Sequence, residues 1–75
     1  MVYLIAKRSD RDGCIAYKTQ PGKRNAELRN YFHSLNLRGL EICTISRPMA
    51  YHEYEPYSFV NTEEEFIEKA LNLMK

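Results

Sequence analysis

Apolar and polar positions change period along the chain, and the changes predict six elements. Val2 to Lys7 is rich in β-branched and aromatic residues and is apolar on both faces. That pattern predicts a strand that is central or covered on both sides. The polar run from Arg8 ends in Asp12-Gly13, a turn signal because glycine adopts positive φ without steric cost. Cys14 to Thr19 then forms the return strand of a hairpin. Gln20-Pro21-Gly22 punctuates, and the spacing predicts a helix from about Lys23 to Asn36. Leu28, Tyr31, Phe32 and Leu35 fall at i, i+3, i+4 and i+7, one apolar stripe. Asn25, Arg29, His33 and Asn36 form its opposite, solvent-facing side. Asn36 to Gly39 is the stop signal.

Leu40 to Ser46 predicts a third strand, ended by Arg47-Pro48 because proline cannot donate to a ladder. Residues 47–56 read as a loop and Tyr57 to Val60 as a short fourth strand. Thr62-Glu63-Glu64-Glu65 matches a capping box, with three glutamates at the positive end of the helix dipole. Phe66, Ile67, Ala70, Leu71 and Met74 make the buried stripe of this last helix, and Glu65 and Lys69 form a supporting i,i+4 pair. The order is ββαββα. The two ββα halves are similar in length but share few residues. The fold class is α+β: a four-stranded, mainly antiparallel sheet with both helices packed on one face. Its other face retains apolar residues, which invites a partner.

Seventy-five residues make one domain, residues 1–75. The apolar fraction of 44% is too high for a disordered tail. The longest apolar run, Val2 to Ala6, is far below the ~20 residues that span a bilayer. It is also too short for a signal-peptide core, so the expectation is a cytoplasmic protein without a membrane partner. Cys14 and Cys43 lack CxxC spacing and read as small buried residues. The net charge is +1. Its distribution is uneven: residues 1–38 hold eight bases and three acids, residues 39–75 three bases and seven acids.

The densest chemistry lies in Ser46 to Tyr57. Arg47, Met49, Tyr51, His52, Tyr54 and Tyr57 are the candidate partner-binding residues, since Tyr and Arg dominate binding hot spots. Pro48 and Pro56 stiffen the segment and lower the ordering cost of binding. The competing reading is that these tyrosines fold back over a small core. A second candidate surface is basic: Lys7, Arg8, Arg11, Lys18 and Arg29 could contact phosphates. Asp10 and Asp12 interrupt it, and neither an RNA-binding aromatic pattern nor a helix-turn-helix accompanies it.

No catalytic constellation emerges. His33 and His52 are the only histidines, and no spacing pairs either with a cysteine. His52, Glu53 and Glu55 match no metal-ligand spacing, and no glycine-rich phosphate loop is present. The sequence therefore implies no cofactor and no metal.

Tyr3-Leu4-Ile5-Ala6, Thr44 to Pro48 and Tyr54 to Tyr57 together resemble a pattern in small uncharacterised bacterial proteins: a YLIA-type strand followed by a TISRP…YEPY segment. The resemblance spans nearly the whole chain. It implies a bacterial origin and brings no chemistry with it.

The expected function is a non-enzymatic protein-interaction or regulatory module using loop 47–57. Its partner is another protein or a second copy, because a chain this small gains from added burial. The alternative is weak nucleic-acid binding through the basic N-terminal half.

Overall fold

The computed structural model of the protein describes residues 1–48 and 52–75. Four strands and two helices follow one another as β1 (Val2–Arg8), β2 (Cys14–Thr19), α1 (Lys23–Ser34), β3 (Leu40–Ile45), β4 (Tyr57–Val60) and α2 (Glu63–Asn72), with a 3₁₀ turn at His52–Tyr54 before β4. The fold is α+β in the order ββαββα.

The strands form one sheet in the order β3-β1-β2-β4. β1 is antiparallel to both β2 and β3, with Leu4 opposite Tyr17 and Thr44. β4 runs parallel to β2, with Ala16 opposite Phe59. Two of the three pairings are antiparallel, as expected of a mainly antiparallel sheet, and the β2–β4 pair makes it mixed. The cause is the path of the chain. β2 and β3 point the same way, and α1 carries the chain between them across one face. The segment after β3 must then travel back past β1 and β2 to reach β4. Parallel crossovers are overwhelmingly right-handed. Reversing the direction of travel keeps that hand only if the face is also reversed. Tyr54, in the described part of the β3–β4 crossover, accordingly packs on the face opposite the helices.

Strand alternation divides the core into two layers. Leu4, Ala6, Ile15 and Val60 point toward the helices and pack with Leu28, Phe32, Phe66 and Ala70. Ile5, Cys14, Ala16 and Ile45 point the other way and pack with Tyr3, Cys43, Tyr54 and Tyr57. The Phe32 and Phe66 rings meet edge to face at 6.0 Å, joining α1 to α2. This explains why β1 is apolar on both faces: the crossover covers what the helices do not.

One predicted face is corrected. Asn25, assigned to solvent, is buried, and Tyr31 and Leu35, assigned to the stripe, are 43% and 38% exposed. The buried stripe of α1 is Asn25, Leu28 and Phe32. Its Asn25 Nδ2 donates to the Gln20 carbonyl at 2.8 Å, while Asn25 Oδ1 is buried without a hydrogen-bond partner among the described residues, so only half of the amide is satisfied on entering the core.

Candidate functional site

The candidate site is the sheet face that carries the crossover. Tyr57 and Phe59 alternate to this face of β4, and Tyr3 does so on β1. In the register Phe59 lies beside Ala16, a side chain small enough for rings from β1 and β4 to meet above it. Tyr3 and Phe59 make an edge contact with centroids 6.2 Å apart. Tyr57 and Phe59 stack at 5.9 Å with 16° between their planes. Phe59 is nevertheless 60% exposed. The result is a row of three aromatic rings whose central member stands in solvent.

The crossover is fastened to the sheet at both ends. The Tyr57 hydroxyl donates to the Pro48 carbonyl, and the Cys43 thiol donates to the Tyr54 hydroxyl oxygen at 3.4 Å. At the exit, the Gly13 and Cys14 amides donate to the Glu55 and Pro56 carbonyls, each at 3.0 Å. The Glu55-Pro56 bond is cis. The side chain of His52 lies with Nδ1 3.1 Å from Glu55 Oε1 on the outer side.

Burial sets the electrostatics of this layer. The Cys14 thiol is pushed up to about 11, first by burial and then by the nearby Cys43, with Lys7 opposing. Tyr54 is held above the usual phenol range, chiefly by its bond with Cys43 and then by burial. Tyr57 is also raised, mainly by burial. All three groups are therefore neutral at physiological pH, as suits a packing layer.

Both cysteines are free. Cys43 faces Ile5 and Ile5 faces Ala16, so Cys14 is two strands across and two residues along. Standard strand spacings put their Cα atoms about 11–12 Å apart, beyond the ~7 Å limit for a disulfide.

Of the six partner-binding candidates, Arg47 and His52 are exposed and Tyr54 and Tyr57 are half-buried against the sheet. Met49 and Tyr51 lie outside the described residues. The reading in which tyrosines fold back over the core thus holds for Tyr54 and Tyr57. Tyr3 and Phe59 were not among the candidates. The alternation Tyr57-Ser58-Phe59-Val60 signals that Tyr57 and Phe59 share a face, but nothing in the sequence says that β4 lies beside β2.

The basic candidates do not form one surface. Lys7 and Lys18 point to the crossover face, and the Lys7 ammonium donates to the Arg8 and Arg11 carbonyls. Arg8 turns to the helix side, bonding Asp10 at 2.7 Å and the Leu73 carbonyl at 2.9 Å. Arg11 lies exposed in the β1–β2 turn and Arg29 exposed on α1. Among the described residues, no three or more His, Cys, Asp or Glu side chains gather as metal ligands. None of the described helices is long and apolar enough to cross a membrane.

These features define a small α+β domain with a helix-covered face and an aromatic, crossover-bearing face. The chain belongs to the family of unknown function DUF6718, whose pattern matches residues 1–73. Comparison with curated proteins finds no match.

Proposed function

We propose that the protein is a non-catalytic interaction module that self-associates through its aromatic sheet face. The observation that carries this reading is Phe59, 60% exposed yet held between Tyr3 and Tyr57. An aromatic side chain already fixed by its neighbours loses little entropy on binding and contributes large apolar area. The outer side of His52–Tyr54 forms the rim of the same face.

A second copy suits the face in size and charge. A standard interface covers about 800 Å² per partner, about a sixth of the 5043 Å² surface of this chain. The aromatic row and the adjoining crossover must both contribute to reach it. Lys18 stands at one end of β2, and Glu55 lies beside Gly13 at the other. A twofold axis across the strands brings Lys18 of each copy toward Glu55 of the other. The free thiols, too distant to pair, suit the reducing cytoplasm of a bacterial cell. Nucleic-acid binding is the weaker reading, because its basic residues are divided between the two faces.

Light scattering behind a sizing column tests the proposal. The expected result is a dimer that survives high salt and becomes a monomer in Phe59→Lys, with the fold retained because the side chain is exposed. A wild-type monomer up to the solubility limit ends the self-association reading.

A further inference from the structure

We infer that the outer edge of β3 is a second binding site, which captures an extended acidic peptide segment by strand addition. This goes beyond the aromatic face and uses the opposite side of the molecule. β3 is terminal in the sheet order, so its outward main-chain groups have no strand partner among the described residues. Natural edges are usually blunted by lysine, proline, a bulge or shortness. β3 has none of these, although Glu41 places one exposed charge on it. It is six residues long, Leu40-Glu41-Ile42-Cys43-Thr44-Ile45, and its pairing with β1 runs without a break from Arg8↔Leu40 to Tyr3↔Ile45. The other edge, β4, has only four residues and follows Pro56.

Beside β3, on its helix side, lies a cavity of about 210 Å³ with Phe32, Leu37, Leu40 and Ile42 as its apolar walls and His33 and Arg38 at its rim. That volume is below the ~300–1,000 Å³ of small-molecule sites. The pocket is open to solvent and mixed in lining, with Asn36 beside His33 and Arg38, and its size suits one side chain of an added strand rather than a whole ligand. No carboxylate lines it. An added strand sends alternate side chains to the helix side, where one can enter the cavity.

Charge selects the occupant. Arg38 precedes β3 and Arg47 follows it, both exposed. A second copy pairing antiparallel through β3 sets Arg38 against the Arg47 of its partner, a like-charge arrangement. Glu41, the one acid on the strand, lies opposite Lys7 of β1. An extended segment with an apolar anchor and acidic flanks meets complementary charge at both ends.

The test uses two fluorescein-labelled heptapeptides, each alternating charged and valine residues about a central phenylalanine, one with aspartate and one with lysine as the charged residue. Fluorescence anisotropy reads binding, and amide hydrogen exchange reads its location. The aspartate peptide is expected to bind at least about ten-fold more tightly than the lysine peptide, to weaken with salt, and to slow exchange in β3. Arg38→Glu combined with Arg47→Glu, both at exposed positions, is expected to reverse the preference. Phe59→Lys is expected to leave binding unchanged, which separates this site from the aromatic face. Equal binding of the two peptides, binding of neither, or protection confined to β4 overturns the inference. So does a wild-type dimer protected at β3.

Discussion

The Arg8 guanidinium donates to the Leu73 carbonyl at 2.9 Å, tying the end of the first strand to the C-terminal cap of the last helix. Carbonyls at a helix C-terminus lack intrahelical partners and carry partial negative charge. A cation placed there satisfies both, and Asp10 holds the guanidinium in position from the other side. Hydrogen bonds to charged groups contribute about 1.5–3 kcal/mol, reduced here because the Arg8 side chain is 25% exposed. Arg8→Ala is expected to cost about 1–2 kcal/mol in urea denaturation. Arg8→Lys should recover only part of it, since an ammonium lacks the planar fork that serves both partners. A loss of nucleic-acid binding in Arg8→Ala would therefore report folding; Arg11→Ala is the cleaner probe of that chemistry. Unchanged stability in Arg8→Ala would show that the tie is ornamental.

Cys14 makes stability fall in alkaline solution. Its thiol titrates near 9.0 when unperturbed and at about 11 in the folded chain, with burial as the main cause. Below about pH 9 both states keep the proton, and the stabilisation from burying a neutral thiol is complete. Between about pH 9 and 11 the unfolded chain releases a proton that the folded chain retains. Stability then drops by at most ~1.4 kcal/mol per pH unit for this group. Tyr54 and Tyr57 are shifted in the same direction and extend the loss upward. Comparing urea midpoints at about pH 8 and about pH 10.5 checks this. Cys14→Ala should show a shallower decline than the wild type, and identical declines would remove Cys14 as the cause.

The α2 cap is a local device and can be tested alone. Thr62 Oγ1 accepts from the Glu65 amide at 3.1 Å, and Glu65 Oε1 accepts from the Asn61 amide at 3.1 Å. The reciprocal bond thus reaches one residue further back than in the usual capping box. Thr62→Ala is expected to cost about 1 kcal/mol, which lowers the melting temperature by about 4–8 °C in a domain of this size. Thr62→Ser should be nearly neutral. A similar loss in Thr62→Ser would mean that the threonine methyl, not the cap, is responsible.

That cap was legible in the sequence because a capping box is a contact between residues three apart. The same is true of the Glu65–Lys69 pair, found at 3.8 Å, of the positive φ at Gly13, and of the β4 boundaries. Asn25 was misplaced because polarity suggested solvent while its real partner, the Gln20 carbonyl, is set by the path of the chain into α1. The parallel β2–β4 pairing was hidden for a larger reason. It depends on which way the chain crosses the sheet after Ile45, and no local pattern encodes that. The aromatic row was hidden with it, since Tyr3 and Phe59 meet only when β4 lies beside β2. The tyrosine-rich stretch was visible as composition, but composition could not say that Tyr54 and Tyr57 turn inward.

Gly13 is where hairpin and crossover constrain each other. Its φ is +92°, a conformation that side chains rarely adopt, and an added Cβ would meet the Pro56 carbonyl oxygen at 3.3 Å. Its amide also donates to the Glu55 carbonyl. Gly13→Ala therefore strains the turn and pushes on the segment that leads Tyr57 and Phe59 onto the sheet. The conformational part costs about 1–2 kcal/mol, and displacement of Pro56 adds to it. Gly22 is the control: its φ is also positive, yet an added Cβ there meets nothing within 4 Å. Both alanine variants carry a backbone penalty, but only Gly13→Ala should disturb the aromatic row. The expected outcome is a larger stability loss for Gly13→Ala, with altered ring-proton shifts of Tyr57 and Phe59 in that variant alone. If self-association proceeds through those rings, Gly13→Ala should also weaken the dimer under conditions where the monomer remains folded. Equal ring shifts in the two variants would show that the Gly13–Pro56 approach does not position the face.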